Sequence, residues 1–345
     1  MIERQPILSP TIVTRSKKLL FPLFAIFVSL VISIVLGEIC LRAIVRYDLF
    51  GKQDEFTVFM KQVESYTTKT FGTIEQTRLF RLSEDPSIKW EPIPGSSAYR
   101  GMLSVKINAA GFRGDEYKKR PSPGVIRVAF LGDSDTFSLL LKQDETLPAC
   151  LEKHLNDFSK TRRFEVLNFG VPGYNTSQEL AVLKKKAINF SPSIVVLYYV
   201  FNDPVIADPC ILVKHRLLAR SYLYMAAVYL IKIKSLSTLD ELYKASSLVE
   251  FYQRLHASDY FLAARSLILE MGEYLQRRGI RFILLIDPEV IGFKDWKSYP
   301  YRNIHELLHG LGSKHIEIVD PLEHISTQGY EPTEYWVTGY DCHKN

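Results

Sequence analysis

Cysteine is scarce: the chain has four among 345 residues. None stands in a segment laid out for a nucleophile, so thiol chemistry is not expected. There is no dense Lys/Arg tract with interleaved aromatics, and the net charge is a mild +5, so a nucleic-acid partner is not expected either. The tightest basic cluster, Lys184-Lys185-Lys186, falls on a predicted helix and reads as a solvated face. Internal repeats and low-complexity segments are missing. What remains is a chain that is 47% hydrophobic and 23% charged, enough for one large α/β domain with attachments.

The charge-free run Leu19–Leu36 reaches the roughly 18 residues needed to cross a bilayer as a helix. Arg15, Lys17 and Lys18 precede it, with Pro22 near its start. No small-x-small cleavage site follows, and Gly37-Glu38-Ile39-Cys40 lacks the small residue expected before a lipidated cysteine. The reading is an uncleaved signal anchor over residues 19–37. It has a cytoplasmic tail (1–18), a stalk (38–89), and the rest of the chain outside the cytoplasm, periplasmic or at the cell surface. The stalk reads as helical or irregular, and Trp90–Gly95 as irregular. A short hairpin around Leu103–Ile107 and Asn108–Gly111 leads into the main domain.

From Val125 onward strands and helices alternate, the signature of a parallel sheet. Strands are expected at Val125–Leu131, Phe164–Phe169, Ser193–Val200, Arg281–Ile286 and Ile316–Val319. A helix starts near Thr136. Thr176 or Ser177 caps another running to Asn189, and Tyr260–Arg277 forms a third, stopping at Gly279. The Gly-free, Tyr/Leu-rich segment 212–255 reads as a helical insert, a cap over the site or a surface near the membrane.

Four strand-end or terminal segments carry polar chemistry. They are Gly132-Asp133-Ser134, Gly170-Val171-Pro172-Gly173, Asn202-Asp203 and Asp341-Cys342-His343. In a doubly wound sheet such segments converge outside the carboxyl ends of the strands. Acyl transfer needs this set: Ser134 to attack, His343 to take its proton and Asp341 to hold the imidazole. The backbone N–H groups of Ser134 and Gly173 and the Asn202 side-chain amide would serve as oxyanion donors. Asp133 reads as a brace for the loop.

The blocks F-L-G-D-S-D-T-F-S, N-F-G-V-P-G-Y-N-T, V-F-N-D and D-C-H-K-N resemble those of the SGNH (GDSL-type) hydrolase superfamily, in order and spacing. With the leader I-N-A-A-G-F-R-G, the likeness is to its bacterial membrane-anchored branch and covers residues 90–345. The resemblance implies a three-layer, flavodoxin-like α/β fold and assigns Ser134, Gly173, Asn202, Asp341 and His343 the roles above. It implies a serine esterase acting on an acylated carbohydrate or lipid, with no metal or organic cofactor. The alternatives are an O-acyltransferase for an envelope or secreted polysaccharide and a catalytically inactive envelope scaffold.

Two further patterns compete. His305-Glu306-Leu307-Leu308-His309 spells a zinc-protease motif but falls on the helix between the fourth and fifth strands, and reads as a solvated helix face. Cys210 and Cys342 flank site loops and could pair outside the cytoplasm. Cys40 lies by the membrane, and Cys150 reads as a buried apolar residue.

Overall fold

A computed structural model describes residues 10–47, 49, 79–100, 103–204, 221–224, 226–227, 245–329, 331–338 and 341–344. The chain divides into two compact units, residues 1–69 with 215–237, and residues 70–214 with 238–345.

In the first unit, α1 runs from Pro10 to Arg46, with Pro22 inside it. Its part from Pro22 to Arg46 is long and apolar enough to cross a membrane, with a mean hydropathy of 2.6 over 18 residues, and Leu23, Phe24, Ile26 and Phe27 are exposed. Near its end Glu38 accepts hydrogen bonds from the Tyr222 and Leu223 N–H groups (2.9 and 3.0 Å) and from Ser221 Oγ (2.9 Å). The carboxylate therefore caps the helical turn at 222–224. Arg42 pairs with Glu38 and lies 4.6 Å over the Tyr222 ring. Most of the expected 212–255 insert, including 228–244, lies outside the described residues, as does Cys210 and hence its expected pairing.

The second unit is built on five parallel strands: β5 (Val125–Leu131), β6 (Arg163–Asn168), β7 (Ile194–Tyr199), β8 (Arg281–Ile286) and β9 (Glu317–Val319). Their order is β6-β5-β7-β8-β9, a doubly wound α/β sheet with its switch point at β5. Alternate residues face opposite layers. Val128, Phe130, Val196 and Tyr198 pack with Leu151 and Leu155 of helix Leu147–Phe158. Ala129, Leu131, Leu197 and Tyr199 pack into a larger core with Leu180 and Leu183 of helix Thr176–Lys185, and Ile268 and Met271 of helix Asp259–Gln276.

Three small antiparallel pairs surround the sheet. β1 (Phe80–Leu82) joins β2 (Trp90–Pro92), β3 (Ser97–Arg100) joins β4 (Leu103–Lys106), and β10 (Trp336–Thr338) joins β11 (Asp341–Lys344). The first pair replaces the helical or irregular chain expected there. Each strand is only three residues long, too short for an alternating pattern to register, and Leu79, Phe80, Ile88 and Trp90 are buried.

The H-E-L-L-H helix (Arg302–His309) is not a solvated face throughout. His305 is 3% exposed, and the Asp320 carboxylate receives hydrogen bonds from His305 Nδ1 and His309 Nε2, both at 2.8 Å. His305 sits on the inner side of the helix with Ile304 and Leu308, so its polar ring is kept only because Asp320 and Tyr299 satisfy it. Burial alone would raise the Asp320 carboxyl. The bonds from His305, the Leu322 N–H and His309 reverse this and hold it at about 2.

A second buried imidazole, His256, donates through Nδ1 to the Tyr252 carbonyl (2.8 Å) and accepts from the Tyr199 hydroxyl at Nε2 (3.0 Å). Burial brings it down to about 4 from its ordinary 6.5. A base depressed by folding stabilises the fold above its unfolded value, and that stability is lost as pH falls. Between pH 6.5 and 4 the protein is therefore expected to lose up to about 3 kcal/mol through this one group. Equilibrium unfolding across that window checks this. His256→Gln, which keeps a donor and an acceptor but cannot charge, flattens the slope.

Candidate active site

Because β5 lies between β6 and β7, the loops leaving all three open at the same edge. After Leu131 the chain turns through Gly132 and Asp133 into α2 (Ser134–Phe137), two residues earlier than the start expected near Thr136. The cause is Asp133, whose Oδ1 caps the Asp135 N–H at 3.0 Å and makes Ser134 the first residue of the helix. Asp133 is 1% exposed and braces the turn as expected, and Ser134 Oγ, half-buried, donates to its Oδ2 at 3.3 Å.

The loop after β6 is laced to this turn. Phe169 N–H bonds to the Phe130 carbonyl (2.8 Å), Val171 N–H to Gly132 (3.1 Å), and Asn168 Nδ2 to Thr136 (2.8 Å). Gly170 lies so close that a Cβ there would come within 2.6 Å of the Phe137 nitrogen. Gly173, exposed and at φ +77°, turns the chain back, with the Trp90 ring beneath it. Trp90 Nε1 donates to the Pro172 carbonyl at 3.1 Å, and Tyr174 Oη donates to the Trp90 carbonyl. Asn175 caps the following helix, through bonds from Ser177 and Gln178 N–H, in place of the expected Thr176 or Ser177. The cap lies one residue earlier because the Asn175 side chain reaches both amides.

Asn202 sits exposed in the turn after β7. Thr176 N–H reaches the Asp203 carbonyl at 3.4 Å, joining this turn to the β6 loop. Asp341 and His343 fall in β11 rather than in the expected loop. Trp336-Val337-Thr338 is strongly β-forming, and it pairs antiparallel with the strand that carries Asp341. Cα atoms of β11 come within 8 Å of those of α2. The elements bearing Ser134, Gly173, Asn202 and the Asp-x-His segment are thus adjacent along one edge, Asp341 and His343 by backbone.

Sequence reasoning missed three supports of this edge: Trp90, Asn168 and Arg113. The Arg113 side chain is buried, donating to the carbonyls of Phe137, Ser138 and, at 2.6 Å, Leu141, just beyond α2. Burial lowers its guanidinium to about 10, still charged at neutral pH. A lone buried arginine with no acidic partner in the sequence pattern carries no signal for three carbonyls 24–28 residues away. Among the described residues no group of three His, Cys, Asp or Glu is arranged to hold a metal ion.

Arg113→Met would leave those carbonyls unpaired under apolar cover. It is expected to cost about 2 kcal/mol or more. Arg113→Lys should recover little, since an ammonium cannot fork across three acceptors. Urea unfolding of the two variants beside the parent measures both.

No protein-family model and no curated protein matches the chain. Solved structures do. The SGNH-hydrolase family esterase AlinE4 shares 18% identity at a TM-score of 0.35, over 61% of this chain and 83% of its own. TesA shares 16% at a TM-score of 0.37, over 64% and 89%. A GDSL-like lipase from Bacteroides thetaiotaomicron VPI-5482 shares 15% at a TM-score of 0.29, over 64% and 80%.

Proposed function

We propose that the chain is a serine esterase of the SGNH type. One observation carries the reading: the turns bearing Ser134, Gly173 and Asn202 are hydrogen-bonded into one rim, and the strand holding Asp341 and His343 runs beside the serine helix. A serine at the first position of a helix, next to a glycine turn and an accessible amide, has the groups that acyl transfer requires.

In this reading Ser134 Oγ attacks the ester carbonyl while His343 accepts its proton, and Asp341 orients and charge-balances the imidazole. The developing oxyanion is met by the N–H groups of Ser134 and Gly173 and by the Asn202 amide. The leaving alcohol takes the proton back from His343. Water, activated by the same imidazole, then cleaves the acyl-serine. The apolar helix α1 anchors the protein, with the hydrolase-like unit outside the cytoplasm, where an acylated carbohydrate or a lipid is the substrate class. Entry of a sugar hydroxyl in place of water would make the same site an O-acyltransferase.

Purified full-length protein in detergent is expected to hydrolyse acetyl and longer p-nitrophenyl esters, and Ser134→Ala to abolish the activity. Asn202→Ala is expected to lower kcat by about 10²–10³-fold with little change in KM. Ester hydrolysis that persists in Ser134→Ala would end this reading. Retention of full kcat by Asn202→Ala would remove the amide from the site.

A further inference from the structure

Beneath the rim lie carboxyl groups that the ester chemistry does not use. Asp133, Glu179 and Asp203 are each 1% exposed, and they come from three elements: the turn after β5, the helix Thr176–Lys185, and the turn after β7. Asp133 is occupied by the Asp135 N–H and Ser134 Oγ. Asp203 Oδ2 accepts the Val200 N–H at 3.0 Å, and Asp203 N–H bonds to the Val200 carbonyl at 3.0 Å, which closes the turn that carries Asn202. Among the described residues, Asp203 Oδ1 and both oxygens of Glu179 meet no hydrogen-bond donor.

We propose that Glu179 and Asp203 are neutral carboxylic acids in the folded protein, and that this buried acid pair positions the Val200–Asp203 turn and, with it, Asn202. The second half rests on the esterase reading; the first does not.

The surroundings favour the proton. An ionised carboxylate buried without donors or a counter-charge costs far more than a neutral one. Among the described residues, the titratable groups facing the pair are Asp133 and Asp135 from the serine turn and Tyr199 from β7, whose hydroxyl bonds the His256 imidazole, and none is a cation at neutral pH. Burial raises Glu179, with Asp133 adding to it; burial, Glu179, Asp133 and Asp135 raise Asp203 against the single lowering bond from Val200. Neutrality matters to catalysis as well. Negative charge under the rim would oppose an oxyanion forming above it, whereas protonated acids leave the donors unopposed.

The sign follows from the raised carboxyls. They contribute their stability fully below the unfolded values of 4.5 and 3.8, and lose it as pH rises toward the folded ones. Glu179→Gln keeps the shape and a donor but cannot ionise. In full-length protein its melting temperature is expected to gain on the parent steadily from about pH 5 to about pH 9. Its kcat should stay within about twofold of the parent at the acid end and hold further into the alkaline range, while Glu179→Ala loses both stability and kcat. Infrared spectra in D₂O should show a protonated-carboxyl C=O band that Glu179→Gln diminishes. A constant melting penalty for Glu179→Gln at every pH, with no such band in the parent, overturns the proton. A band with an unchanged alkaline limb of kcat overturns the positioning. Parent protein without esterase activity removes both the proposed function and the positioning, while the band and the melting series still decide the proton.

Discussion

The rim depends on a backbone-to-backbone approach: the loop after β6 lies directly against α2, with no room for a side-chain carbon at Gly170. Parallel pairing of β5 with β6 begins this contact. The Phe169–Phe130 and Val171–Gly132 bonds then extend the ladder past the sheet, and Asn168 Nδ2 ties it to the Thr136 carbonyl. Each bond fixes loop geometry to an element of the sheet, so the serine and the glycine turn are held by main chain rather than by flexible side chains. Trp90 under Gly173 and Arg113 behind α2 hold the two loops from the far side.

Charge is distributed unevenly around this framework. Anionic and protonatable groups gather beneath the rim, while the imidazoles of His256, His305 and His309 are engaged with Tyr199, Asp320 and Tyr299. These two sets oppose each other in pH. The buried imidazole His256 weakens the fold on the acid side, and the buried acids weaken it on the alkaline side.

Much of this was legible in the residues. Val125–Leu131 and Arg281–Ile286 are long β-branched and apolar runs ended by turn residues, and their bounds in the structure match those read from the sequence. Gly-Asp-Ser, Gly-x-Pro-Gly and Asn-Asp follow strands, so their common edge follows from the strand order alone. What escaped were contacts set by tertiary packing. The strands Phe80–Leu82 and Trp90–Pro92 are too short for periodicity. The inward turn of His305 depends on Asp320, fifteen residues on, and the cap at Asn175 depends on side-chain reach within one turn. Asp341 and His343 were read by motif, and the β-forming Trp-Val-Thr run before them went unused.

In the proposed site Ser134 acts against donors from the neighbouring loops. A crystal structure of the protein inactivated by an alkyl fluorophosphonate tests it most directly. The expected result is a bond from phosphorus to Ser134 Oγ, with the phosphoryl oxygen facing the Gly173 N–H and the Asn202 amide and the His343 imidazole beside Oγ. Phosphorus on another residue, or a phosphoryl oxygen turned to solvent with the imidazole remote, would contradict it.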